Sequence, residues 1–240
     1  MSIRFLSFLA VAALLLAGCG ALPSFTALTG SGNPVTQTFD FAGFDSLEIG
    51  NAFQAEIVAS DNFSVEVTVD DNLIDYLRVE QQGDTVKIGL DPNTAATRAD
   101  LRARITMPAL VNLDASGATR ANVSGFKSSA NTSVTASGAS TVRGDMETGD
   151  MTVDASGAST VNLSGSGDSL RATASGASTA DLSNFTVSNA DVDANGASRI
   201  NVAASGKLDA KASGASTVRY SGNPTLGRID ESGASNVTAQ

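Results

Sequence analysis

The stretch at residues 154–165 reads DASGASTVNLSG, and its string ASGAS recurs through the C-terminal half of the chain. The same string starts at 136, 174 and 212, and the close variants ASGAT, ANGAS and ESGAS start at 115, 194 and 231. The seven central glycines, which are 21, 19, 19, 20, 18 and 19 residues apart, are Gly117, Gly138, Gly157, Gly176, Gly196, Gly214 and Gly233. A nearly constant period of this length predicts a solenoid of stacked coils.

Apolar and polar residues alternate on both sides of each repeated glycine. Around Gly157, Val153 and Ala155 lie four and two residues before it, and Val161 and Leu163 lie four and six residues after it. This period of two is that of a β-strand with one face turned to an interior, and no helical period is visible. The repeat therefore predicts an all-β fold, a single-stranded β-helix (β-solenoid) with coils of about 19 residues.

The string SGA[ST] is predicted to form the corner between two strands of one coil. Its glycine can adopt a positive φ that a larger residue resists. We expect the alanine after each glycine to lie at the tight inner side of the corner, where rungs stack about 4.8 Å apart. The flanking serines can form hydroxyl ladders between rungs. A row of catalytic serines is the alternative, and it fails because no residue nearby could act as a general base.

The region before the repeat alternates in the same way but has no fixed period. Segments such as AFQAEIVAS at 52–60 and FSVEVTVD at 63–70 are typical of strands, and residues 71–77 read as one helical turn. We assign residues 35–108 to an N-terminal β region of less regular strands. Residues 109–240 form the repeat solenoid with its C-terminal cap.

The seventh repeat departs from the others at two positions that should face inward. The residue two before the glycine is alanine in the first six repeats but is Glu231 in the last, and Gly227 replaces the apolar residue six before it. A carboxylate inside a continuing coil would carry a large desolvation cost, whereas the end of a stack is open to water. We therefore predict that residues 224–240 form the C-terminal cap, with Glu231 partly exposed.

The first residues of the chain resemble the leader of bacterial lipoproteins. Arg4 precedes FLSFLAVAALLLAG, which is too short to span a bilayer comfortably, and LLAGC is similar to the lipobox that is cut before an acylated cysteine. The resemblance implies a signal peptide at 1–18 and a lipidated, flexible tether at 19–34. Cys19, the only cysteine in the sequence, is the lipidation site. Gly20 stands where an inner-membrane retention signal would place Asp, which favours the outer membrane. A plain signal peptide with an incidental cysteine is the alternative.

Three segments, together with the run of SGA[ST] coils, resemble one bacterial family. They are FAGFDSLEIG at 41–50, ITMPALVNLDASGA at 105–118 and YSGNPTL at 220–226. The family is the putative auto-transporter adhesin, head GIN domain family, and the resemblance extends from about residue 40 to 238. It implies a right-handed single-stranded β-helix and a secreted or surface location. The family name implies adhesion and carries over no site residues, and most members lack the anchor, so tethering depends on Cys19 alone.

Composition excludes several classes of function. The formal net charge of −10 repels phosphate backbones, so we expect no nucleic-acid partner. Histidine is absent, which removes the usual general base and the commonest metal ligand. A Ser/Lys pair at Lys207 or Lys211 stands in no motif, and solvated surface lysines are the better interpretation. We therefore predict no catalytic residue, no metal site and no cofactor, and the sequence indicates no ligand-binding residues.

Two outward positions of the repeat carry most of its charge. The position three before each glycine reads Asp114, Thr135, Asp154, Thr173, Asp193, Lys211 and Asp230. Like charges are thus kept about two rungs apart, which relieves the repulsion between them. Because a calcium site would need crowded carboxylates, this spacing indicates a role in solubility and strand register instead. The position five after each glycine shows hydrogen-bonding variety without a constellation: Asn122, Arg143, Asn162, Asp181, Asn201, Arg219 and Thr238.

Three classes of function remain open. The first is a non-enzymatic, lipid-anchored protein of the cell envelope, an adhesin-like binding or spacer module whose partners are the membrane, through Cys19, and an envelope glycan or surface protein. The second is a β-helix enzyme that degrades polysaccharide. The third is a surface that orders water or ice, against which the varied charge of the outward residues argues.

The lipid anchor is tested by the substitution Cys19→Ser. The acylated sulfur is lost, so the variant should leave the membrane fraction or accumulate as the unprocessed precursor. Cell fractionation and gel migration measure both effects, and Ser24→Ala is the matched control. A Cys19→Ser variant that fractionates and migrates like the wild type would show that the protein is not a lipoprotein.

Overall fold

Alternate burial along the strands builds two long sheets that face each other across one hydrophobic core. In the strand Met151–Ala155 the side chains of Met151, Val153 and Ala155 are buried, and Thr152 and Asp154 lie on the outer face. The fold is seen in a computed structural model that describes residues 26–240, so the predicted signal peptide and Cys19 lie outside the described residues. The all-β solenoid predicted from the repeat is confirmed.

Twenty-three strands and one short helix make up the described residues. The strands before the repeat are β1 (Thr26–Thr29), β2 (Pro34–Phe39), β3 (Ser46–Ile49), β4 (Gln54–Ala59), β5 (Ser64–Asp70), β6 (Leu77–Gln82), β7 (Thr85–Leu90), β8 (Thr94–Thr97) and β9 (Leu101–Met107). The strands of the repeat are β10 (Asn112–Ala115), β11 (Arg120–Lys127), β12 (Thr132–Ala136), β13 (Thr141–Glu147), β14 (Met151–Ala155), β15 (Thr160–Ser166), β16 (Ser169–Ala174), β17 (Thr179–Val187), β18 (Asn189–Ala194), β19 (Arg199–Ala204), β20 (Lys207–Ala212), β21 (Thr217–Ser221), β22 (Thr225–Glu231) and β23 (Asn236–Ala239). The predicted helical turn is a 3-10 helix, Asp71–Tyr76.

Each coil of the repeat contributes one strand to each of the two sheets. The ten-stranded sheet has the order β22-β20-β18-β16-β14-β12-β10-β3-β7-β6, and the eleven-stranded sheet has the order β2-β5-β9-β4-β11-β13-β15-β17-β19-β21-β23. Pairing within the repeat is parallel and keeps apolar positions aligned, so Val153 pairs with Val134 on one side and with Ala172 on the other. The 19-residue period thus becomes a continuous apolar interior.

The parallel sheets continue from the repeat into the N-terminal β region. Strands β3 and β4 form a coil that lies between the coil of β7 and β9 and the coil of β10 and β11. Antiparallel pairing then ends this side of the stack, where β6 lies against β7 and β2 lies against β5. A chain that inserts an early coil between two later ones leaves no trace in the sequence period.

The predicted tether at 19–34 is longer than the structure allows. Residues Thr26–Thr29 form a strand that pairs in parallel with Thr94–Thr97, and Leu28 packs against the core. Backbone pairing and an apolar contact therefore hold these residues on the domain. Their Ser, Thr and Gly content resembles that of a linker, which is why composition alone gave the wrong assignment.

The corner buries a different residue from the one that the sequence predicts. Ala158 is exposed at the corner of its coil, and Ser159, one residue later, is 1% exposed. The Ser159 hydroxyl lies 2.9 Å from Ala136 O of the previous rung and 2.8 Å from Ser156 O of its own. The corners at Ser178, Ser198, Ser216 and Ser235 contact the previous rung in the same way. The serine therefore joins successive corners, and the alanine lies on the outer surface of the turn.

Glycine is required at the corner for two separate reasons. Gly157 has a φ of +73°, which L residues with a side chain rarely adopt. A Cβ at Gly157 would also lie 2.5 Å from Gly138 O of the previous rung. That carbonyl accepts the Ala158 N–H at 2.7 Å, so it cannot move away without breaking the stack.

The last coil is open to solvent at the end of both sheets. Leu226 is 47% exposed although its partner in the register, Leu208, is fully buried. Glu231 pairs with Ala212 at the inward position, and it is exposed as the sequence predicts. Its carboxylate accepts the backbone N–H of Val237 in the other edge strand. The carboxylate therefore accepts a hydrogen bond from one backbone N–H that the edge strand would otherwise leave unpaired.

The division of roles within the corner is tested by Gly157→Val and Ser159→Ala. Valine would combine a disfavoured φ with a clash, for a cost of about 2–6 kcal/mol in the free energy of unfolding. Ser159→Ala removes one hydroxyl, and the Ser156 N–H still satisfies Ala136 O at 2.9 Å, so we expect a loss of about 1 kcal/mol. Denaturant unfolding measures both, and equal losses would contradict this account of the corner.

The edge-covering role of Glu231 is tested by Glu231→Ala. The variant should fold normally but self-associate more, because it frees the Val237 N–H and removes a charge from the open end. Light scattering as a function of concentration measures the association. Asp230→Ala is the matched control, since it removes an equal charge from the outer face of the same strand. Equal association of the two variants would rule out a specific role for Glu231.

Candidate functional site

Within residues 26–240, no group of three His, Cys, Asp or Glu side chains could hold a metal ion. The two lysines considered for a Ser/Lys pair are both engaged by carboxylates: Lys207 lies 2.7 Å from Asp209, and Lys211 lies 3.5 Å from Asp193. Both ammonium groups are more than half exposed. Each of these lysines therefore contacts a carboxylate at the surface, which is the arrangement of a solvated surface lysine.

The predicted acidic ladder lies on the outer face of the ten-stranded sheet. Strand register aligns, in spatial order, Glu80, Lys87, Glu48, Asp114, Thr135, Asp154, Thr173, Asp193, Lys211 and Asp230. Within the repeat, like charges are two rungs apart as predicted. At the N-terminal end, however, the coil of β3 and β4 places Glu48 directly beside Asp114, a contact that the repeat period does not reveal.

Glu48 and Asp114 line a shallow groove of about 290 Å³. Burial, and to a smaller extent the charge of Glu48, raise the pKa of Asp114 above its usual value. A carboxyl group with a raised pKa beside a second carboxyl group is the combination used for acid–base cleavage of glycosides. Lys87, however, lies 2.9 Å from Glu48 in an ion pair. The pair of carboxyl groups is therefore the feature of the described residues closest to a catalytic arrangement.

The outer face of the eleven-stranded sheet carries two aligned rows of side chains. The row three residues after each glycine is Arg120, Thr141, Thr160, Thr179, Arg199, Thr217 and Asn236. The row five residues after it is Asn122, Arg143, Asn162, Asp181, Asn201, Arg219 and Thr238. Only residues of the second row were predicted from the sequence, and Arg120 and Arg199 of the first row were missed. The first row could have been found in the sequence, because its residues also lie at a constant distance from the corner glycines.

Threonine occupies three successive rungs of the first row, at Thr141, Thr160 and Thr179. A surface that orders ice would need this uniformity over its whole length. Arg199 ends the run, and the neighbouring row places Asp181 beside Thr179. The arrangement is therefore poorly suited to the water-ordering alternative.

The same face begins, at the N-terminal end, with a groove of about 500 Å³. Its lining includes Gln54, Glu56, Glu66 and Arg104. The closest approach of Arg104 Nε to Glu56 is 4.0 Å, and both side chains are more than 60% exposed, so the ion pair is weak. The groove therefore presents hydrogen-bonding groups that are available to a polar ligand.

Comparison with known families confirms the resemblance seen in the sequence. Residues 43–224 match the model of the family described as putative auto-transporter adhesin, head GIN domain. The chain belongs to this family. No curated protein matches the chain. Among residues 26–240, no helix is both long and apolar enough to cross a membrane.

Several crystal structures share the fold of this adhesin-family chain. A putative adhesin from Bacteroides fragilis is 15% identical and superposes with a TM-score of 0.80 over 89% of this chain and 100% of its own. A putative lipid binding protein from Parabacteroides distasonis is 19% identical, with a TM-score of 0.71 over 90% of this chain and 100% of its own. A putative adhesin from Parabacteroides merdae is 16% identical, with a TM-score of 0.64 over 90% of this chain and 99% of its own. At these identities the likeness shows the fold alone.

Proposed function

We propose that the protein is a non-enzymatic, adhesin-like module of the bacterial cell envelope, anchored by lipid at Cys19 to the outer membrane. The observation that carries the proposal is the long, regular outer surface of the solenoid. Threonine, asparagine and arginine side chains are repeated there along one sheet. Membership of a family whose description names an adhesin supports the same role.

The shape of the solenoid suits a binding or spacer module. Eleven strands lie side by side in one sheet, so neighbouring-strand spacing alone gives this face a length of about 50 Å. Successive rungs are bonded through backbone groups, and from Ser159 onward the corner serines add a hydrogen bond to the previous rung, which makes a stiff unit. A stiff, extended face can contact a polymer at several points without a conformational change.

A polysaccharide-degrading enzyme is the second candidate, and one observation favours it. Asp114 and Glu48 lie on adjacent strands in a groove, and the pKa of Asp114 is raised. Glu48 is already bound by Lys87 at 2.9 Å, and the groove is shallow. We therefore place binding first and keep cleavage as an outcome of the experiment.

The proposed function is tested by incubating purified mature protein with immobilised envelope glycans and matrix polymers. We expect retention on at least one polymer, with no new reducing ends after prolonged incubation. The release of reducing ends by the wild type, and its loss in Asp114→Asn but not in the exposed-surface control Asp154→Asn, would establish an enzyme instead. Failure to be retained on any polymer or on whole cells would contradict an adhesin-like role.

A further inference from the structure

Four arginines on the outer face of the eleven-stranded sheet form two identical diagonal pairs. Arg120 on β11 lies three residues after its corner glycine, and Arg143 on the adjacent β13 lies five residues after its own. Arg199 on β19 and Arg219 on β21 repeat this offset. We call these two sets the arginine pairs. All four side chains are exposed.

None of these four arginines makes an ion pair within residues 26–240. Other cations of the solenoid do lie beside carboxylates: on the eleven-stranded sheet Lys127 pairs with Glu147 at 2.7 Å, and on the outer face of the ten-stranded sheet such pairs are frequent. Its contacts are Lys87–Glu48, Arg171–Asp191, Lys207–Asp209, Lys211–Asp193 and Arg228–Asp230, at 2.7–3.5 Å. Both sheets have the same strand spacing, so a neutralising carboxylate could be placed next to each arginine with equal ease. The unpaired guanidinium groups are therefore free to bind an external anion.

Each of the carboxylates nearest the arginine pairs has another partner. Glu56 on β4 lies opposite Asn122, diagonal to Arg120, and is loosely paired with Arg104 at 4.0 Å. Asp181 accepts hydrogen bonds from the Ser183 hydroxyl at 2.7 Å and from the Ser183 N–H at 3.3 Å. Burial acts to raise the pKa of Asp181, but hydrogen bonds from Ser183 and Asn201 outweigh it and hold the pKa below its usual value. Asp145, on the same strand as Arg143, accepts the backbone N–H of Gly125. Over the two outward rows, four arginines stand against one aspartate, which leaves an excess of three positive charges.

The separation of the arginine pairs indicates the shape of the anion. From β11 to β19 there are four strand spacings, so equivalent arginines lie about 19 Å apart along the stack. The rungs between them carry Thr160, Asn162 and Thr179, together with one acidic residue, Asp181. A linear ligand with acidic groups spaced along it could contact both pairs and hydrogen-bond to the hydroxyl and amide groups between them.

We propose that this face binds an acidic polysaccharide, which lies along the solenoid axis with its acidic groups on the two arginine pairs. The proposal rests on the adhesin-like function above and names the chemical class of the ligand. The planar guanidinium can hold a carboxylate or sulfate through two parallel hydrogen bonds. The intervening polar side chains match sugar hydroxyls, and a pyranose in an extended glycan is about as long as one strand spacing is wide.

Other polyanions fit this face less well. The two rows contain no aromatic side chain on which a nucleic-acid base could stack. The large apolar side chains exposed among the described residues are Val35, Val111 and Leu226, none of which belongs to the rows. The face therefore has no apolar group to insert below lipid headgroups.

The proposal is tested by measuring dissociation constants for polygalacturonate, dextran sulfate and neutral dextran with purified mature protein. We expect both acidic polymers to bind and neutral dextran to bind at least tenfold more weakly. Arg120→Gln with Arg143→Gln, and separately Arg199→Gln with Arg219→Gln, should each weaken binding by tenfold or more. An octameric galacturonide should bind at least tenfold more tightly than a trimer, because only the longer chain can contact both pairs at once.

Arg171→Gln with Lys211→Gln is the matched control, since it removes the same charge from the opposite face. It should change binding by less than twofold, and circular dichroism should show the wild-type fold for every variant. Equal weakening by this control, equal binding of neutral dextran, or preference for phosphatidylglycerol vesicles over both acidic polymers would overturn the proposal. If the wild type is retained on some other polymer or on cells while the arginine variants bind as well as it does, the ligand assignment fails but the adhesin-like function stands.

Discussion

The close stacking of one corner on the next is the constraint on which the rest of the structure depends. The carbonyl of Gly138 accepts the N–H of Ala158 at 2.7 Å, and a Cβ at Gly157 would come within 2.5 Å of the same oxygen. Only a residue without a side chain can occupy that place. The buried hydroxyl of Ser159 then bonds the previous rung from inside the turn. Small residues therefore recur because backbone meets backbone at every corner.

This tight corner determines which side-chain positions of each sheet can vary from rung to rung. Inward positions stay apolar from rung to rung, and the one beside the corner also keeps a constant size, as the aligned Ala136, Ala155 and Ala174 show. Outward positions face solvent and carry no such requirement, so they can differ freely in charge and shape. Specific binding by this fold must therefore be encoded on its outer faces, in side chains whose register is set by the corners. The arginine pairs and the acidic ladder are both patterns of this kind.

The sequence predicts the solenoid well because the spacing of the glycines and the alternation of apolar and polar residues both indicate the same geometry. The markers Gly157 and Gly176 give the period, and the alternation around them gives the strands. It predicts the corner less well, since Ala158 and Ser159 are both small and only the folded structure shows which of them is buried. It cannot place Glu48 beside Asp114, because that contact comes from a coil inserted out of chain order. Cys19 lies outside the described residues, and its lipidation remains a prediction.

Segregation of charge between the two faces explains how a chain with a net charge of −10 can attract an acidic polymer. Packed sheets lie about 10 Å apart, and outward side chains increase the distance between the acidic ladder and the arginine pairs. At physiological ionic strength, charges are screened within about 8 Å, so a ligand beside Arg143 or Arg219 is affected mainly by nearby groups. The ion pairs of the ten-stranded sheet reduce its field further, as at Lys211 and Asp193. Local charge, and not the total, therefore decides which face a polyanion contacts, and the acidic face disfavours binding on the wrong side.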